Sequence, residues 1–330
     1  MFYFLLFLIN LVIYYQIDFI NNKFNIYDHP NNKRKMQKKP ISVSGGLILY
    51  LNSVLIFSFI YFEKQNNSIF FINSYEFFLN VLFISAFWVI GLIDDKIELK
   101  ASTKIILMLL IIILFVYLTD YGLVKIFYFS EDINVELGNF YMLFTVFCIF
   151  TLTLTLNMFD GIDGQSLILY IFLSLYLFFF HDISFSSYIL IPLVVTLILN
   201  LKQKIYLGDN GVMIFAGIIS LILIKYNFLQ PYQIFADEII LILLIPALDL
   251  IRLVIYRLYL KRSPLKADNF HIHHLAKEFV SKKNYIILSI IYYFSLLNIL
   301  AVNVKFYNLI IIFTFLYFVF LIYFFKKKKI

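Results

Sequence analysis

Eleven stretches of 15 to 21 predominantly apolar residues run almost end to end along this chain of 330 residues. They cover roughly 2–20, 43–62, 77–93, 104–118, 140–156, 166–181, 185–201, 211–225, 236–256, 284–303 and 306–325. No other feature restricts the fold as tightly. About 20 such residues, fewer where the ends snorkel, carry a helix across the hydrocarbon core of a bilayer. There the backbone must satisfy its own hydrogen bonds, which a helix does within one segment. Composition agrees: 62% of residues are hydrophobic and only 14% charged, against about a quarter charged in soluble domains. The expected fold is all-α, a polytopic integral membrane protein of about 10–11 transmembrane helices forming a single transmembrane domain over 1–330.

The remaining charge is unevenly placed. If every run spans, one side holds 21–42, 94–103, 157–165, 202–210, 257–283 and the tail KKKKI; with the basic residues within a few positions of those ends, it carries 23 of the 27 Lys and Arg. The other side holds Lys64, Lys125, Lys225 and Lys305. By the positive-inside rule the first side is cytoplasmic, which puts the N-terminus outside and the C-terminus in the cytoplasm. The opening MFYFLLFLINLVIYY lacks a basic leader and a small-residue cleavage site, so it reads as a retained span. Cys148 is the only cysteine, so no disulfide forms within the chain. No connection is long enough to fold alone. Any chemistry must come from short loops meeting at the cytoplasmic face.

Five polar clusters punctuate that face. DHPNNKRKMQKKPISVSGG (28–46) could be a topology-setting basic loop or part of a site, and Gly45-Gly46 suggest a turn into the second span. In GLIDDKIELKASTK (91–104) the adjacent Asp94 and Asp95 repel unless a cation or proton lies between them. Lys100 and Lys104, four apart, would share a helix face. Carboxylates suit Mg²⁺ and lysines suit phosphate oxygens. In NMFDGIDG (157–164), Asp160 and Asp163 would share a face if helical, while Gly161 and Gly164 allow a turn or close ligand approach. YLGDNGV (206–212) opens a span with Asp209, as an N-cap or beside an anion site. RLYLKRSPLKADNFHIHHLAKE (257–278) gathers Arg257, Lys261, Arg262 and Lys266 with His271, His273 and His274. Without cysteine, zinc is disfavoured there, and a cationic pocket for a pyrophosphate fits better. Singly, each cluster has a bland explanation as loop, cap or topology signal; together on one face they point to a site. His181, on the other side, has no assigned role.

In this order, over about residues 28–275, the clusters resemble the polyprenyl-phosphate N-acetylhexosamine-1-phosphate transferase family (glycosyltransferase family 4). Eleven spans, an external N-terminus and the loop SPLKADNFHIHH resemble its GlcNAc-1-phosphate branch more than the related phospho-MurNAc-pentapeptide translocase. The resemblance implies transfer of a sugar-1-phosphate from a UDP-N-acetyl sugar to a polyprenyl phosphate such as undecaprenyl phosphate. The products would be polyprenyl-diphospho-sugar and UMP, with Mg²⁺ as cofactor, Mn²⁺ as its substitute, and direct attack by the lipid phosphate. It implies a multi-pass protein of the inner (cytoplasmic) membrane with its site on the cytoplasmic face, no nucleic-acid partner, and room for a homodimer. It also implies roles: Asp94, Asp95 and Lys104 catalytic; Asn157 and Asp209 on the metal; Asp160, Asp163, Arg262, His271, His273 and His274 on substrate. The chain departs from the family pattern at Leu154, where asparagine is usual, at Gln37, where histidine is usual, and at Gln165-Ser166 after DGIDG.

Two rivals from other classes are a transporter and an alcohol phosphotransferase using CDP-linked donors. A transporter would relay ions through carboxylates within its spans, yet Asp249 is the only acidic residue well inside a late apolar run. The alcohol phosphotransferase would need a different aspartate-rich signature, which is absent.

Overall fold

The computed structural model describes residues 1–30, 39–63, 73–119, 126–129, 133–226, 234–263, 270–277, 279–302 and 306–328. Every apolar run becomes a helix or a bent helix pair. In chain order these are α1 (Phe2–Tyr15), α2 (Ile17–Phe24), α3 (Gly45–Glu63), α4 (Ser74–Ile97), α5 (Ala101–Leu118), α6 (Tyr141–Phe159) and α7 (Gln165–His181). They continue with α8 (Ser184–Leu201), α9 (Gly208–Tyr226), α10 (Ala236–Ile242), α11 (Leu244–Tyr259), the short α12 (Ile272–Lys277), α13 (Lys282–Leu300) and α14 (Phe306–Lys328). Eight of these are long and apolar enough to cross a bilayer alone, while α1–α2 and α10–α11 are pairs bent by 73° and 75°. With the 17-residue α7, the eleven expected runs are matched one for one. The chain is an all-α polytopic membrane protein.

Two short antiparallel ladders were not expected from the sequence. Strand β1 (Tyr27–Asp28) pairs with β2 (Ile41–Ser42), and β3 (Ile126–Phe129) with β4 (Ile133–Glu136). The first closes the base of the 28–46 loop, and its Ser42 also bridges Ile205. Gln37 lies outside the described residues.

In lipid, burying one more leucine does little to drive two helices together; close backbone approach and interhelical polar bonds do more. Both are visible around α9, whose residues Asn210 to Ile222 are buried without a break. A helix apolar on all sides belongs in the middle of a bundle, and α9 packs against α3, α4 and α6. Gly91 of α4 lies so close to the start of α9 that a Cβ there would sit 2.4 Å from the Asn210 Cα. Gly45 and Gly46 serve the same purpose rather than forming a turn. They are the first residues of α3, and their N–H groups donate to the Tyr206 and Leu207 carbonyls, each at 3.0 Å. Farther along, Asn10 bonds Asn52 at 2.8 Å between α1 and α3, and Tyr50 meets Ser85 at 2.9 Å between α3 and α4. At the far end Lys225 of α9 pairs with Glu76 of α4, so these antiparallel helices are joined by charge at both ends. His181 sits at that far end too, 2.8 Å from the Tyr176 hydroxyl and 3.6 Å from Glu238.

Candidate active site

Five residues singled out from three separate clusters meet where α4, α5, α6 and α9 converge. The Lys104 ammonium, in the first turn of α5, lies 2.7 Å from Asp94 Oδ2 and 3.0 Å from Asp209 Oδ1. Asn157, near the end of α6, donates its amide to Asp209 Oδ1 at 2.5 Å. Asp95 accepts from Asp209 N and Asn210 N, both at 2.9 Å, and from Asn210 Nδ2 at 2.5 Å. The repulsion expected between Asp94 and Asp95 is thus relieved by separation: one faces an ammonium, the other a helix start. Asp94 also caps its own helix by accepting from Leu99 N at 2.8 Å.

Three local expectations need correction. Lys100 does not share a helix face with Lys104; it is the extended N-cap residue preceding α5. Asp209 is not an N-cap but a first-turn residue, and the amides at the start of α9 are engaged by Asp95, so they do not form an open anion site. Asp160 and Asp163 do not share a helix face, because α6 ends at Phe159 and a turn follows, with Gly164 at φ +85°. Asp163 turns instead to Lys282 at the start of α13, with Gln203 Nε2 at 3.3 Å. Asp160 stays open to solvent although protein surrounds it, which describes a recess rather than a surface knob. That enclosure pushes its carboxyl up to about 7; the neighbouring Ser166 hydroxyl opposes the shift, while the charges of Asp209 and Asp163 add to it.

The histidine segment closes the recess from another side. His273 is buried, and its Nε2 lies where a Cβ on Gly161 would come within 1.9 Å. Gly161 is therefore required by close approach of a side chain. His271 stacks on His273 with centroids 5.2 Å apart and planes 15° from parallel. His271 Nδ1 lies 3.1 Å from Asp249. Arg262 is exposed beyond the end of α11, its N–H donating to the Arg257 carbonyl at 2.8 Å. The His274 side chain and residues 264–269, including Lys266, lie outside the described residues. Sequence reasoning missed Asn210, which ties Asp95 to the Val43 carbonyl at 3.0 Å, and Lys282. Asp249, weighed only as a transporter feature, also belongs to this end of the bundle.

An apolar cleft of about 480 Å³ is lined by α6 from Phe144 to Thr155, by α9 between Ser220 and Ile224, and by the bent pair α10–α11. It reaches to within two residues of Asn157.

A helical membrane bundle with a lysine bridged between carboxylates and an asparagine alongside offers the groups that phosphoryl transfer uses. Residues 77–227 match the profile of Glycosyl transferase family 4. Relatives extend the match beyond that segment. A protein of Escherichia coli O157:H7 named undecaprenyl-phosphate alpha-N-acetylglucosaminyl 1-phosphate transferase is 22% identical over 285 residues, 82% of this chain and 75% of its own length. One of the same name from Yersinia pestis is 24% identical over 81% of this chain and 74% of its own length. A Bacillus subtilis (strain 168) protein named "Probable undecaprenyl-phosphate N-acetylglucosaminyl 1-phosphate transferase" is 28% identical over 76% of this chain and 70% of its own length.

Proposed function

We propose that this protein transfers N-acetylglucosamine 1-phosphate, or the 1-phosphate of a closely related N-acetyl sugar with the sugar attached, from its UDP donor to undecaprenyl phosphate at the cytoplasmic face of the inner membrane. The observation that carries this reading is the Lys104 ammonium held between Asp94 and Asp209, with Asn157 alongside. The names of the relatives supply the substrate class. An oxygen of the lipid phosphate attacks the sugar-bearing phosphorus of the donor. The bond from that phosphorus to the oxygen bridging to the other phosphate breaks, UMP leaves, and a diphosphate joins lipid to sugar.

Phosphoryl transfer is mostly positioning and charge neutralisation, with little covalent work left to the protein. Lys104 supplies a compact cation for the phosphate oxygens. Asp94, which meets both Lys104 and Asp209, is placed to orient the lipid phosphate or take its proton. Asp95 is saturated by three donors and keeps Asp209 in place. The cleft between α6 and α10–α11 suits part of the polyprenyl chain. His271 and His273 lie across the recess, where they would meet the donor's diphosphate.

The donor set fits Mg²⁺. Asp209 and Asn157 offer hard oxygen ligands, and among the described residues no three His, Cys, Asp or Glu side chains converge as a cage. Mg²⁺ commonly takes one or two carboxylates plus substrate phosphates and keeps its waters. When bound, it would add positive charge at the diphosphate. Purified protein assayed with undecaprenyl phosphate and a panel of UDP-sugars should release UMP from at least one donor, and only with Mg²⁺ or Mn²⁺. No UMP from any donor would overturn the reading.

A further inference from the structure

Asp249 sits within α11, 5% exposed, in a helix whose neighbours are almost all apolar. A carboxylate so placed is costly unless fully partnered. Its partners come from three elements. Arg252, one turn on, brings Nη2 to 2.6 Å of Oδ1. The Tyr317 hydroxyl of α14 donates to Oδ1 at 3.3 Å. From the histidine segment, Ile272 N donates to Oδ1 at 3.1 Å, and His271 Nδ1 lies 3.1 Å from Oδ2. Arg252 in turn donates to the Phe270 carbonyl at 2.5 Å and to the Tyr317 hydroxyl at 3.2 Å. Two backbone bonds would be enough to dock segment 270–272 on this ion pair. The bond to His271 does something more.

We infer that Asp249 is a positioning residue for the transfer reaction, holding the His271 ring by a proton on Nδ1 in its stack on His273. A carboxylate beside Arg252 only accepts, so His271 Nδ1 must be the donor. Nε2 is then the acceptor of a neutral ring, or a second donor when the ring is protonated. A partner on one ring nitrogen sets what the other can do. The stack of His271 on His273, and of His273 against Gly161, carries this orientation to the NMFDGIDG loop. The inference rests on the transferase reading for the reaction it serves, but the ring's protonation can be read without any turnover.

The test uses the full chain in lipid bilayers, labelled with ¹⁵N-histidine, with His271 signals identified by their loss in His271→Gln. Solid-state NMR should find Nδ1 protonated in the unsubstituted protein. In Asp249→Asn the amide N–H₂ can face the ring, leaving Nδ1 bare and Nε2 protonated. In the UMP-release assay Asp249→Asn should lower kcat by about 10- to 100-fold, the usual range for a group that orients another. Asp249→Glu should recover part of that loss, and Asp249→Asn should cost nothing further in a His271→Gln background. A bare Nδ1 in the unsubstituted protein overturns the inference whether or not the variants fold. So does a loss from Asp249→Asn that is undiminished when His271 is already replaced. If the unsubstituted protein releases no UMP, the transferase reading fails and the NMR arm still decides the place of Asp249.

Discussion

Asp94 and Asp95 are neighbours in sequence with different partners in space, and substitution should separate them. Asp95→Asn removes the charge that holds two backbone amides and the Asn210 side chain at the start of α9. Loss of such charge-assisted bonds costs about 1–3 kcal/mol, so its thermal midpoint should fall together with activity. Asp94→Asn should leave the midpoint near that of the unsubstituted protein and lower kcat by about 10²-fold or more, as for loss of a proton-handling group. Melting in detergent alongside UMP release checks both; an active Asp94→Asn enzyme would remove that residue from the chemistry. Asp160 offers a pH test. Its carboxyl is raised to about 7, mainly by enclosure, so ionisation costs the folded state. That group's favourable contribution is full below the unfolded carboxylate range and is lost as pH rises through about 7. Asp160→Asn should therefore melt higher than the unsubstituted protein at pH 8, with the gap closing towards pH 4. A gap that widens in acid would refute the assignment. At this scale the cluster itself was legible, because carboxylates, asparagine and lysine at span ends are expensive residues with few bland uses. The pairings were less so. Asp163 finds Lys282 at a separation of 119 residues, and nothing in NMFDGIDG announces that partner. Gln165, where the family pattern often has leucine, is buried with neither amide atom hydrogen-bonded among the described residues, a departure that was legible but whose structural cost was not.

The helices themselves were readable to within a few residues, since each follows an unbroken apolar run. The breaks within runs were harder. The stretch 236–256 reads as one span, yet it bends by 75° between α10 and α11. A signal was present in Pro246, which falls in the first turn of α11, where a missing N–H is tolerated. The bend matters because the apolar cleft lies between that pair and α6. If the polyprenyl chain lies there, a bulky residue in the wall should compete with lipid and leave the sugar donor alone. Ile239→Trp is expected to raise KM for undecaprenyl phosphate about tenfold, a change of about 1.4 kcal/mol, with KM for the UDP-sugar unchanged. A short-chain lipid phosphate should be used equally well by both proteins. An equal effect on long and short lipids would place the chain elsewhere.

Across the whole molecule, charge and chemistry share one end. The lysine-rich end of α14 belongs to it, because Tyr317 and Leu321 pack against Leu275 of the histidine segment. The far end has its own partnered charges, Lys225 with Glu76 and Glu238 near His181. Asp249, the acid that a transporter reading would place on an ion path, is taken up by Arg252, Tyr317 and the histidine segment. A one-sided site suits an enzyme that draws a water-soluble, charged donor from one compartment and a lipid from the bilayer beside it. The location of 23 of 27 Lys and Arg on the same side then makes a claim about which compartment that is. A fluorescent protein that matures only in the cytoplasm, fused after Ile330, should be bright, and alkaline phosphatase fused there should stay inactive. Fused before Met1 behind its own export signal, the phosphatase should be active. The reverse pattern would turn the recess towards a compartment without UDP-sugars, and the transferase reading would fall with the orientation.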